Sequence, residues 1–250
     1  MKKIALGTWA WGAGAFGGDT VFGSNTDVEN LKPVFEAAMK AGLNLWDTAT
    51  VYGMGESERI LGALAKPYKR EDVLISTKFT PQIAEIRRAN EILGEAGFKV
   101  SAVQNHFSLL YRSSEKGGVL DYCKEQGIEF WAYMVLEQGA LSGKYNKDNP
   151  LPAESDRGKK YNPVLPQLEA LTDEMTSIGR KYGASCSQIG IAWAIAKGAT
   201  PLIGATKERH VVEAAEAADI VLTAEEVARL EQLADATGID TRGGWEHSME

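Results

Sequence analysis

Asp47, Tyr52 and Lys78 are the residues whose types and spacing could do chemistry together. An aspartate closes one short apolar run, a tyrosine follows five residues later, and a lysine closes the next such run. An ammonium beside a phenol favours the phenolate and lowers the tyrosine pKa, and a carboxylate holds the ammonium in place. A tyrosine tuned in this way can donate a proton near neutral pH. The competing reading is an ion pair between Asp47 and Lys78 that merely locks two strand ends, with Tyr52 a surface aromatic. Residue types alone leave both open.

The elements that would position these groups follow from the pattern around them. Short apolar runs at 4–9, 43–49, 73–79, 100–106, 128–136 and 200–206 read as strands. Between them, helical periodicity occupies about 27–41, 56–66, 82–96, 115–126, 164–181, 185–197, 207–217 and 223–235. Glycines in KAGLNLWD, EAGFKV, EQGIEF and AKGATPLIG stand where a left-handed residue closes a helix before the next strand. Alternating strands and helices fit either an open doubly wound sheet or a closed barrel. No GxGxxG follows the first strand, whereas Asp47, Lys78, Gln104, Tyr133 and Thr206 fall at or just past the C-terminal ends of different strands. A barrel of parallel strands builds its site in that way, so a (β/α) barrel of the TIM type is predicted. Residues 137–163, rich in Gly, Pro and charge, read as a long loop over the same face.

Composition narrows the partners. The chain has 250 residues and a net charge of -7 with mixed signs, which disfavours nucleic acid as the main partner. Cys123 and Cys186 are far apart and outside any metal-binding spacing, so no metal is expected. The start, MKKIALGTWAWG, is too short in apolar residues for a secretory signal, and no stretch suggests a membrane span. A cytoplasmic location is expected.

WDTATVYGMGESERILGALAK resembles the signature of the aldo-keto reductases: an aspartate, a tyrosine five residues on, a glycine, then a Ser-Glu helix start. LGTWAWG, ISTKF, VQNHFSLLYR, AYMVLEQGALSGKY and IGATKERHVVEAAEA extend the likeness over about residues 4 to 236. The resemblance implies a (β/α)8 barrel that binds NADPH across the strand C-termini and reduces aldehydes or ketones. Hydride would pass to the carbonyl carbon while Tyr52 protonates the oxygen, with Lys78 and Asp47 tuning it. It further implies Gln104 on the nicotinamide carboxamide, Tyr133 stacked on the ring, and Leu136, Gln138 and Gly139 along the pyrophosphate. Gly204 to His210, Thr206 among them, lead into a helix whose free N–H groups suit a phosphate; Lys207, Arg209 and His210 would face the 2′-phosphate, with Glu213 on the adenine amine. Trp9, Trp11 and Trp245 resemble the substrate-pocket aromatics. An arginine and an asparagine common on that last helix are replaced here by His210 and Ala214.

Two βα units that the family carries after the lysine strand are missing, including the strand that ends in its active-site histidine. The join lies near Ile83 to Glu85, leaving about six of eight units in a single domain spanning residues 1–250. The histidines of this chain are His106, His210 and His247. His106 lies two residues beyond Gln104, on the same strand face, and is the candidate replacement at the substrate pocket. Without it, turnover would be impaired. The alternative is a catalytically inactive cofactor-binding or scaffold protein of the same fold. A barrel lacking two adjacent strands must also reclose or expose two sheet edges, which invites self-association.

Overall fold

The computed structural model describes residues 4–14, 16–23, 27–49, 51–76 and 102–243. Six parallel strands form one sheet: β1 (Ala5–Gly7), β2 (Leu45–Asp47), β3 (Leu74–Ser76), β4 (Ala102–His106), β5 (Glu129–Tyr133) and β6 (Thr200–Gly204). All six predicted strands are present; β1, β2, β5 and β6 are shorter than their apolar runs, and the runs of β3 and β4 extend beyond the described residues. Their order is β3-β2-β1-β6-β5-β4. Helices follow in the crossover positions: α1 (Asp19–Phe22), α2 (Val28–Lys40), α3 (Glu56–Ala65), α4 (Ser113–Lys116), α5 (Val119–Gln126), α6 (Asp156–Tyr161), α7 (Leu165–Tyr182), α8 (Cys186–Ala196), α9 (Glu208–Ala217) and α10 (Ala224–Ala236).

Local chemistry explains most boundaries. Asp27 caps α2 by accepting from Asn30 N at 2.8 Å. Ser185 with Gln188 and Thr223 with Glu226 form capping boxes that start α8 and α10, each such cap contributing about 1 kcal/mol. Gly42, Gly127 and Gly198 close their helices with φ of 76°, 63° and 86°, as the sequence predicts; the fourth such glycine, in EAGFKV, lies outside the described residues. The predicted helix over 115–126 is instead two helices, because Gly118 takes φ 73° between them. The predicted loop over 137–163 is also more ordered than expected. It holds a 3₁₀ segment, Glu137–Ser142, and helix α6, which Ser155 starts by accepting from Gly158 N at 3.0 Å and Tyr161 anchors by burial.

Strand alternation sorts the side chains into two layers. Ile4, Leu6, Trp46, Phe130, Ala132 and Ile203 join the large apolar cluster shared with the helices. There Phe35 stacks on Trp46 at 4.7 Å and Trp11 packs on the same indole at 5.2 Å. The opposite face is thin: Ala5, Leu45 and Leu202 with Trp131 against them. In a flat sheet, β2 and β4 would stand four spacings apart, roughly 19 Å. Yet Gln104 on β4 donates from Nε2 to Asp47 Oδ1 on β2 at 3.1 Å. The sheet is therefore curled until the ends of these strands face each other across the interior. It is an incomplete barrel, with β3 and β4 as its edges among the described residues.

Candidate functional site

The parallel register puts Gly7, Asp47 and Gly204 side by side at the C-terminal ends of β1, β2 and β6. Asp47 is buried, and Gln104 reaches it from across the barrel. Tyr52 follows on a loop fixed at both sides. Ser57, at the start of α3, lies 2.7 Å from Thr8 Oγ1 and 3.1 Å from Thr48 Oγ1, pinning that helix to the ends of β1 and β2. Behind the tyrosine, a Cβ on Gly12 would stand 2.5 Å from Tyr52 O, and one on Gly53 would stand 2.6 Å from Ala13 O. The glycine run after β1 thus lets two backbones touch and turns the Tyr52 loop inward. Trp9 lies against Tyr52 with ring centroids 6.3 Å apart.

Burial raises the Tyr52 pKa well above its ordinary value, and the Asp47 carboxylate raises it further. This runs opposite to the lowering expected from Lys78. Lys78 lies outside the described residues, as do Trp245, His247 and the join at Ile83 to Glu85.

Two expected pocket residues are buried. Trp11 has no exposed surface; its indole donates from Nε1 to Ala205 O at 2.8 Å and packs on Trp46, so it ties β6 to the outer core and presents nothing to a substrate. His106 is likewise buried. Its Nε2 lies 2.9 Å from Glu137 Oε1, and its ring stacks on Tyr111 at 4.4 Å and Tyr133 at 5.5 Å. A ring so placed has almost no exposed surface, so a role as substitute histidine would require it to leave these partners. Tyr133 itself is half-buried at the end of β5.

The remaining candidates form a cationic surface from two segments. Leu136 O accepts from the amides of Gly139 and Leu141, which folds the chain back on itself, and Gln138 and Gly139 take φ of 54° and 101°. At α9, Lys207 is the N-cap residue and its side chain makes no capping bond. Burial first, then Arg209, Lys207 and Lys144, hold the His210 pKa down to about 4. His210 Nδ1 accepts from Thr206 N at 3.4 Å, and Arg209 stands 4.0 Å from Glu213. Gly204 leaves open space where a Cβ would be.

Lys144 and Arg157 are cations that sequence reasoning missed. Arg157 on α6 donates from Nη1 to Gln138 O at 3.3 Å and lies over the rings of Phe22 and Tyr145, while its Nε is buried with no hydrogen-bond partner among the described residues. The loop reading of 137–163 hid it, since only a helix capped at Ser155 aims that side chain back at Gln138. Among the described residues no cluster of His, Cys, Asp and Glu could hold a metal, and no helix is long and apolar enough to cross a membrane. A groove lined by Glu36, Lys40, Asn44, Tyr68 and Asp72 opens at the opposite, N-terminal end of the strands, the end where such barrels do not place chemistry.

A curled parallel sheet with helices outside, and with polar groups gathered at its C-terminal rim, defines the class of (β/α) barrel proteins. The sequence profile described as the Aldo/keto reductase family matches residues 3–90 and 80–235, and the chain belongs to that family. Pyridoxal reductase of Arabidopsis thaliana chloroplasts is 27% identical over 311 aligned positions, covering 94% of this chain and 83% of that protein. Since 94% of 250 residues is about 235, that alignment holds about 76 positions with no counterpart here. Among solved structures, the glycerol dehydrogenase from Gluconobacter oxydans has a TM-score of 0.73 at 22% identity, over 96% of this chain and 94% of that one. An aldo-keto reductase from Klebsiella pneumoniae in complex with NADPH has a TM-score of 0.65 at 19% identity, over 92% and 90%.

Proposed function

We propose that this protein is an NADPH-dependent oxidoreductase that reduces aldehyde or ketone carbonyls, with Tyr52 as proton donor and with turnover weakened by the shortened barrel. The observation that carries the reading is the convergence of Asp47, Tyr52 and Gln104 at one strand-end rim, beside a separate cationic surface. That surface suits an anionic dinucleotide. The unpaired Arg157 Nε, the open space at Gly204 and the N-terminal turn of α9 each offer an anion something it can use. The Klebsiella relative of the same fold is an NADPH complex.

When bound, NADPH supplies a hydride. The residues of this chain do the rest. Lys207, Arg209 and His210 meet the 2′-phosphate, Lys144 and Arg157 offset the pyrophosphate charge over Leu136–Gly139, and Glu213 takes the adenine. Tyr133 supports the nicotinamide ring. Gln104 serves the carboxamide by exchanging its bond to Asp47 for one to the cofactor. Tyr52 holds its proton toward the carbonyl oxygen, with Trp9 as pocket wall; Lys78, Trp245 and the histidine-bearing strand are not among the groups the geometry describes. The two-piece family match and the surplus of aligned positions support an internal deletion within the single domain. The edges it leaves, β3 and β4, support self-association.

Nicotinamide fluorescence titration run beside a carbonyl turnover assay tests the reading. NADPH should bind with a preference over NADH that falls at least tenfold when Lys207 and Arg209 are both replaced, because two charge-assisted contacts to the 2′-phosphate are lost. Absence of NADPH binding would rule the assignment out, and binding without turnover would favour the inactive cofactor-binding alternative.

The same site predicts a proton linkage. Free, His210 is neutral at pH 7, with a pKa near 4. A phosphate dianion beside it stabilises the imidazolium and raises that pKa, so NADPH binding should take up a proton and tighten as pH falls from neutral to about 6, where the phosphate itself begins to protonate. NMR titration of the His210 ring with NADPH and NADH checks this; an upward shift with NADPH alone is expected, and equal shifts would place the 2′-phosphate elsewhere.

A further inference from the structure

Glu137 has no exposed surface, yet it carries a carboxylate. Its Oε1 accepts from Ser108 Oγ and, at 2.9 Å, from Thr241 Oγ1, and it lies 2.9 Å from His106 Nε2; Oε2 accepts from Tyr161 OH at 2.7 Å. These partners come from the end of β4, the loop after it, helix α6 and the segment that follows α10. A buried carboxylate is tolerated only when its lone pairs are met, and an apolar side chain of equal volume would serve stability as well. What the carboxylate adds is direction. Glu137 itself takes φ 46°, followed by Gln138 and Gly139 at 54° and 101°. Consecutive left-handed residues persist only where their surroundings over-determine them.

We propose that Glu137 is a positioning residue: its carboxylate, held by Thr241 of the C-terminal segment, sets the Leu136–Gly139 backbone and couples the seating of residues 240–243 to cofactor affinity. This rests on the reading of that loop as the cofactor loop. Helix α6 carries the coupling. Lys160 Nζ donates to Thr241 O at 2.8 Å, Tyr161 holds Glu137, and Arg157 donates to Gln138 O. Three side chains within five residues of one helix thus bind the C-terminal segment, the carboxylate and the loop. Withdrawal of Thr241 removes one of the three contacts at Glu137 Oε1 and frees the loop from one of its anchors.

The test uses the intact chain with Thr241→Val, which removes the hydroxyl at nearly constant shape, and Thr241→Ser, which restores it. Amide exchange at Gly139 and Leu141 is followed without nucleotide, and NADPH affinity by nicotinamide fluorescence. Thr241→Val should speed exchange and weaken NADPH binding by about tenfold each, the size expected for one hydrogen bond to a charged group. Thr241→Ser should recover both, and Thr241→Val should cost less in a Glu137→Gln background, where the acceptor is neutral. Unaltered exchange in Thr241→Val overturns the proposal whether or not NADPH binds. Faster exchange with unaltered NADPH affinity also overturns it, reducing Glu137 to a structural brace. A wild-type chain that does not bind NADPH overturns the cofactor reading instead, and the exchange data then decide the positioning of the loop by themselves.

Discussion

Tyr52→Phe is expected to lower carbonyl reduction by about 10²–10⁴-fold, the range that a positioned proton donor contributes, while NADPH affinity stays within a few-fold. The substitution removes one oxygen from a ring whose packing against Trp9 is unchanged, so the loss falls on the step in which that oxygen gives up its proton. The pH dependence carries a second signature. Burial and Asp47 raise the Tyr52 pKa, so the phenol stays protonated through the neutral range. Reduction needs that protonated form, and activity should therefore hold up to alkaline pH before it falls. Steady-state rates at saturating NADPH from pH 6 to pH 10 check both points. Turnover equal to wild type in Tyr52→Phe would remove the tyrosine from the mechanism, and a rate already falling near pH 7 would show a cation overriding burial at that phenol.

The purified chain is expected to self-associate at micromolar concentration, and Ile75→Lys to return it to a monomer. β3 is a sheet edge among the described residues, and it presents Leu74 and Ile75 at 37% and 45% exposure. Unpaired N–H and C=O groups beside exposed apolar side chains are a template for a second strand, and a charge there is the usual block. Curling has already brought Gln104 within 3.1 Å of Asp47. Tighter closure would press the interior groups together, with overpacking at about 1–3 kcal/mol per site, whereas pairing with another copy leaves them in place. Light scattering on wild type and Ile75→Lys distinguishes the two. A wild-type monomer with a cooperative melt would mean that the edges are satisfied within one chain.

The sequence by itself determined the six strands, the bounds of six of the ten described helices to about one residue, and the end of the barrel that holds the polar groups. These are local properties. Apolar period and a left-handed glycine act within a few residues, so the helix spans and the closing glycines Gly42, Gly127 and Gly198 could be read directly. The family likeness supplied the proposed roles of Asp47, Tyr52 and the segment around His210 for a similar reason, since each sits in a short contiguous motif.

Only the tertiary structure decided what each side chain faces. His106 and Gln104 are two residues apart on one strand, yet Gln104 reaches Asp47 while His106 is held by Glu137, 31 residues away in the chain. Trp9 and Trp11 share one short motif, yet one lies beside Tyr52 and the other ends at Ala205, 194 residues on. Arg157 and Thr241 carry no motif at all, and their places follow from where α6 and the last segment pack; Lys144 sits within AYMVLEQGALSGKY, but nothing in that run marks it out. Alternation and periodicity assign a face, but the occupant of that face is chosen by the long-range packing and hydrogen-bond satisfaction of a buried polar group, and those depend on the whole chain at once.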